Sequence, residues 1–162
     1  MTEAKTRETP DPATSDELTG LLNRTGLEPL AEYRFRLSDR TRVPVTLVFL
    51  RLTPPGEASA ELLVEVAEVI RGATREADLS ARLDEGFCVL LAGNATGAEA
   101  AVLSRIVEGL AEHNARSDRP VPLSLAIGTA AYEPGNRRSL DQVLEEAATG
   151  MRDQGPGTAA PS

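Results

Sequence analysis

Two adjacent carboxylates, Asp84 and Glu85, stand between the runs 79–83 and 87–91 and are followed at once by Gly86. Carboxylates at the tip of a turn are either a solvated turn or the remains of a metal site, since hard cations take oxygen ligands. A three-residue connection ending in glycine predicts a β-hairpin across 75–93. Gly86 would then sit at a positive φ that a Cβ disfavours. The second run, from Phe87 to Leu91, is apolar and predicts a strand in the interior of a sheet. Cys88 lies within it and is the single cysteine, so no intramolecular disulfide can form and a buried structural thiol is expected. His113, the single histidine, falls near a predicted helix end, exposed and alone, and carries no weight as a ligand or base.

The elements that must position this hairpin follow from pattern. Thr25 and Glu28 form a capping box that opens a helix fading near Ser38, with Leu27, Leu30, Ala31, Arg34 and Leu37 on one face. Residues 45–52, VTLVFLRL, are apolar on both faces until Arg51 and predict a central strand. A helix over about 58–73 carries Leu62, Leu63, Val66, Ile70 and Ala73 on one side. A further helix over 97–115 aligns Val102, Ile106 and Leu110, with Leu103 and Val107 beside them. Residues 121–130 alternate strictly. Val121, Leu123, Leu125 and Ile127 point one way, and Ser124, Ala126 and Gly128 point the other, where small residues let a helix approach. Ser139 and Gln142 make a second capping box, opening a helix with Leu140, Val143, Leu144, Ala147 and Met151. The order α β α β β α β α predicts an α/β (α+β) fold, a mixed central sheet surrounded by helices. Polar, proline-bearing residues 1–15 and the Pro/Gly/Ala-rich stretch 155–162 read as disordered tails around one domain, 16–154.

Composition narrows the function. Seventeen basic and 25 acidic residues give a net charge of −8, which argues against nucleic-acid binding as the main role. No apolar stretch is long enough to span a membrane and no apolar signal core opens the chain, so a cytoplasmic protein is expected.

Three pieces together resemble one family. DELTGLLNR at 16–24 matches the DxLTGLxNR opening motif of GGDEF domains, the diguanylate cyclase family. ADLSARLDEGFCVLL at 77–91 is similar to their signature hairpin, D-x-x-x-R-x-G-G-D/E-E-F-x-x-L-L. LSLAIGTA at 123–130 resembles their late S-x-G strand. The resemblance covers about 16–151. It implies a GGDEF, nucleotide-cyclase-like sheet with the signature loop on a β-hairpin. Active members use Mg²⁺ to condense two GTP into cyclic di-GMP across a dimer interface, so a homodimer is compatible with it.

The same motifs show departures. Between Arg82 and Phe87 the signature loop is one residue short, and the Gly-Gly pair is lost. Anchored on Phe87, the degenerate loop Asp84, Glu85, Gly86, Phe87 puts Glu85 at the metal-binding acidic position and Gly86 at the catalytic Glu position. The first strand of active members ends D-x-D, and here the matching residues are Arg51 and Thr53. The stretch that follows, F-K-x-I-N-D-x-x-G-H-x-x-G-D in the family, collapses to 54–61, with neither Asn nor Asp. Near the end, Met151 of A-D-x-A-M-Y is kept, but Ala148 replaces Asp, Arg152 replaces Tyr, and Gly155 stands where a phosphate-contacting Lys is expected. The resemblance therefore implies no catalytic residue, no bound metal and no cofactor. It also implies that Arg51 and Glu85 approach each other, an ion pair taking the place of the metal.

What survives is R-x-x-D, Arg75 and Asp78, which in the family forms an inhibitory site for cyclic di-GMP. An arginine fork donates to the O6/N7 edge of guanine and a carboxylate accepts from its N1–H and amino group. Arg82 would stand near enough to meet a phosphate. The plain alternatives are a cation at a helix C-terminus for Arg75 and a strand-opening cap for Asp78. Asp16 and Asn23 read as residues that tie down backbone at a helix start. Three functions compete: an inactive signalling module that binds cyclic di-GMP, an inactive module that acts purely by contact with an unidentified signalling protein, and a residual or altered cyclase.

Overall fold

The computed structural model describes residues 13–53, 59–92, 97–118 and 122–154, with 152–154 described for their backbone alone. Most of the expected tails, Val121 and most of the shortened segment after Thr53 lie outside these residues. Residues 13–15, read as tail, belong to the fold. The Asn23 amide donates to the Thr14 carbonyl at 3.0 Å, and Ser15 bridges Leu22.

The order is α1 (Arg24–Thr41), β1 (Val45–Leu52), α2 (Ala60–Ala73), β2 (Leu79–Leu83), β3 (Gly86–Leu90), α3 (Ala98–Arg116), β4 (Leu125–Tyr132), α4 (Leu140–Thr149) and β5 (Arg152–Gln154). The strands form one sheet in the order β2-β3-β1-β4-β5. Every ladder is antiparallel, and a parallel bridge from Leu22 to Ala81 lays the opening segment along the outer edge of β2.

The apolar run of β1 places it centrally, with β3 and β4 on either side. Its residues alternate between two cores. Val48 and Leu50 pack with α2 and α3 on one face, while Leu47 and Phe49 pack with α1 and α4 on the other. Each fully buried leucine contributes about 1.5–3 kcal/mol, so covering both faces is what holds β1 at the centre. Cys88 is buried on the second face, and burial raises its thiol pKa well above the usual range, so it stays an inert SH.

Several boundaries differ from the pattern. Asn23, not Thr25, caps α1, its Oδ1 accepting from the Gly26 amide at 2.9 Å. The helix passes Ser38 and ends at Arg42, at φ 64°, whose amide bonds the Ser38 carbonyl. Its buried face is Leu27, Ala31, Phe35 and Ser38, so Leu30 points outward, 42% exposed. Phe35 wins that face by stacking on Tyr132 with ring centroids 4.3 Å apart, and the Tyr132 hydroxyl donates to Asp39. Val107 on α3 is likewise exposed. The alternating strand is β4, which starts later and ends later than the pattern implied. Its small face works as expected, since a Cβ on Gly128 would lie 1.9 Å from the Ala147 carbonyl of α4. The Ser139–Gln142 capping box forms in both directions. Among the described residues no helix is long and apolar enough to cross a membrane.

Candidate functional site

The two ends of β2 each open onto a cavity. The strand's foot is the turn 75–78. Asp78 builds it: one carboxylate oxygen accepts the Arg75 amide at 2.8 Å, the Asp78 amide donates to the Arg75 carbonyl at 3.0 Å, and the other oxygen accepts the Ala92 amide at 2.7 Å. The carboxylate thus fixes the turn against the end of β3. Arg75 is exposed and has no ion-pair partner among the described residues.

Arg75 and Asp78 line a space of about 180 Å³, walled on its far side by Ala98, Ala101 and Arg105 of α3. Arg105 is fixed there by its Nε, which donates to the Ala73 carbonyl at 3.0 Å. Arg105 was not singled out from the sequence. Its signal is that it follows Ala98 and Ala101 at helical spacing, a cation on a small-residue face. The cavity therefore offers two guanidiniums and one carboxylate. Each Asp78 oxygen keeps a lone pair beyond its backbone bond.

The strand's other end is the hairpin tip. The loop has two residues, Asp84 and Glu85, because Leu83 pairs directly with Gly86. Both acids are exposed and Phe87 is buried in the core. Gly86 is required by close approach to β1 and not by a turn, since a Cβ there would lie 2.3 Å from the Leu50 carbonyl. Arg82 does not join Arg75 and Asp78. It lies four steps along the strand from Asp78, about 13 Å, and its guanidinium is held by Asp16 at 3.1 Å. These residues line a second cavity of about 620 Å³ with Asn23, Arg24 and the two tip acids. Arg24 is itself paired with Glu28 and Asp141.

Asp16 is the hub of this end. It accepts from the Thr19 amide and hydroxyl as well as from Arg82. Burial alone would raise its pKa, but the Thr19 hydrogen bonds and Arg82 outweigh burial and hold it below the usual carboxylate value. The tie-down role read for Asp16 and Asn23 is the one they perform.

Arg51 reaches Glu85 as the alignment requires, but its partner is the backbone and not the carboxylate. Its Nε donates to the Glu85 carbonyl at 3.1 Å, and its guanidinium lies 5.4 Å above the Phe49 ring. Mg²⁺ needs several hard oxygens in a tight octahedral shell. Here the ground between β1 and the tip holds a cation that is already donating to one of the available oxygens. The residues present do not fit the ion.

His113 is neither exposed nor alone. Its ring nitrogens face Glu65 at 3.8 Å and Glu68 at 3.9 Å across the α2–α3 contact, distances too long for hydrogen bonds. Among the described residues, no group of three or more His, Cys, Asp or Glu is placed to hold a metal ion.

Comparison with known proteins bears on the family and the fold. Residues 56–156 match the family described as diguanylate cyclase, GGDEF domain. No curated protein matches the chain. Among solved structures, the GGDEF domain of TpbB (YfiN) from Pseudomonas aeruginosa is 30% identical with a TM-score of 0.66, the match covering 83% of this chain and 84% of that one. The diguanylate cyclase SiaD from Pseudomonas aeruginosa, in complex with its activator SiaC, gives 23%, a TM-score of 0.72, and 85% and 56% coverage. The coiled coil and GGDEF domain of DgcB from Caulobacter crescentus, in complex with c-di-GMP, gives 21%, a TM-score of 0.69, and 91% and 81% coverage. The last two speak to the fold alone.

Proposed function

The chain belongs to the GGDEF family, and from that premise we propose that it is a catalytically silent member, a cytoplasmic signalling module that acts by contact with another protein. One observation carries this reading. Arg51 stands where active members place a metal-binding aspartate, and it donates to the Glu85 carbonyl. A guanidinium has only donors and a positive charge, so it repels the ion that GTP condensation requires. Contact with a protein is the mode left to a domain whose metal position holds a cation; SiaD, a protein of the same fold, is itself held with an activator protein. The test is incubation of the purified protein with GTP and Mg²⁺. No cyclic di-GMP above a heat-killed control is expected, and Mg²⁺-dependent turnover would overturn the reading.

A second reading is favoured by the cavity at the foot of β2, and we propose cyclic di-GMP as its ligand. Arg75 is free to present its fork, Asp78 is held rigidly beside it, and Arg105 supplies a second cation. A guanine edge would take the Arg75 fork and the Asp78 carboxylate as its donor and acceptor. A bidentate pair to a base carries about 1–3 kcal/mol. Arg75→Ala should therefore weaken binding roughly ten- to a hundred-fold and leave the melting temperature nearly unchanged, because Arg75 is exposed. Calorimetry showing no heat with the wild type at high micromolar ligand leaves protein contact as the module's mode of action.

A further inference from the structure

We propose that Arg34 of α1 is a positioning residue for the Arg75–Asp78 site. Its Nη2 donates to the Ala77 carbonyl at 2.5 Å, across 43 residues of sequence. That carbonyl belongs to the peptide unit whose other end is the Asp78 amide. The unit is planar, so holding the carbonyl against α1 aims the Asp78 N–H the opposite way, toward the Arg75 carbonyl it bonds at 3.0 Å. The turn is otherwise closed on itself and pinned, just past the end of β3, through the Ala92 amide. Arg34 adds the brace from the other helix layer and sets the plane in which the Asp78 carboxylate leaves the backbone.

A second observation sets Arg34 apart from an ordinary surface arginine. Its Nη1 is buried and has no hydrogen-bond partner. A buried, unsatisfied donor on a charged group is unfavourable and calls for an explanation. Were packing its sole task, an apolar side chain on that half-buried face would do it without the penalty. Bracing Ala77 is a task that an apolar residue cannot perform.

The ligand arm of the test rests on cyclic di-GMP binding at this cavity, and the exchange arm does not. Arg34→Met keeps the stem and removes the donors, and Arg34→Lys restores one donor. The bond comes from a charged guanidinium, and because Arg34 acts on the site only through the Ala77 peptide, a part of its worth, a factor of about 2–10, is expected at the ligand. Arg34→Met should weaken cyclic di-GMP binding by that factor and Arg34→Lys should recover most of it, with the melting temperatures of both near wild type. Amide exchange at Asp78 and Ala92 should quicken in Arg34→Met while the β1 amides stay protected. Should the wild type not bind the ligand, that reading fails and exchange alone decides the role of Arg34. Unchanged exchange at Asp78 and Ala92, or wild-type affinity alongside quickened exchange, overturns the proposal.

Discussion

The foot and the tip of β2 are five residues apart and have opposite electrostatics. At the tip every cation is answered: Arg82 by Asp16, Arg24 by Glu28 and Asp141, Arg51 by the Glu85 carbonyl and the Phe49 ring. At the foot, Arg75 is exposed and the Arg105 guanidinium meets a carbonyl through Nε alone. Internal pairing ties the sheet edge to the opening segment and leaves little charge for a nucleotide. Unpaired guanidiniums beside a fixed carboxylate are what base recognition needs. The larger cavity is thus the one whose cations are already paired.

The sharpest way to break this contrast is to give the tip back a carboxylate. Gly86→Glu puts an acidic side chain at the position that the family resemblance aligns with a catalytic glutamate. If the tip merely lacked that group, the variant would fold and gain activity. The expected outcome is loss of stability by about 1–3 kcal/mol or more, because the Leu50 carbonyl occupies the place of the new Cβ. Thermal melting checks this, and a variant as stable as wild type would show that β1 and β3 can part there.

Asp16→Asn is next in size. It removes the charge from a carboxylate that Thr19 and Arg82 address, at an expected loss of about 1–3 kcal/mol at neutral pH. The sign of the pH effect follows from the lowered pKa. A carboxyl more acidic in the fold than in the unfolded chain stabilises in full above the ordinary value of 3.8, and that stability is lost as the pH falls through the lowered one. The gap between wild type and Asp16→Asn should therefore narrow as the pH drops below 3.8, as measured by urea unfolding across that range.

The smallest effects belong to the exposed tip. Arg51→Ala should cost about 0–1 kcal/mol, the range of an exposed polar contact, and Asp84→Ala should change neither stability nor cyclic di-GMP binding. A large loss in either would mean that the tip carries more of the fold than its exposure suggests.

Local features of the fold were legible in the sequence. The unbroken apolar run of β1 announced burial on both faces, the small face of β4 announced the close approach of α4, and Ser139 with Gln142 announced a helix start. Each is decided within a few residues. The misreadings were settled by partners far away in sequence. Leu27, Ala31 and Arg34 versus Leu27, Ala31 and Phe35 are equally good helical stripes, and Tyr132 chose between them. Asn23 took the cap from Thr25 because the chain at 13–15 bonds to it. At the site, Arg75 and Asp78 were visible as a motif, whereas Arg82 was assigned to the wrong end of β2 because its true partner lies 66 residues away. Arg105 and Arg34 reach the turn from two helices on opposite faces of the sheet, and no spacing rule links them to it.

The contrast between foot and tip is tested most directly by titrating ¹⁵N-labelled protein with cyclic di-GMP and following the amide resonances. The account predicts shifts at 75–78, Ala92 and the start of α3, with 23–25 and 84–86 unmoved. Shifts concentrated at 23–25 and 84–86, with the turn at 75–78 silent, would contradict it.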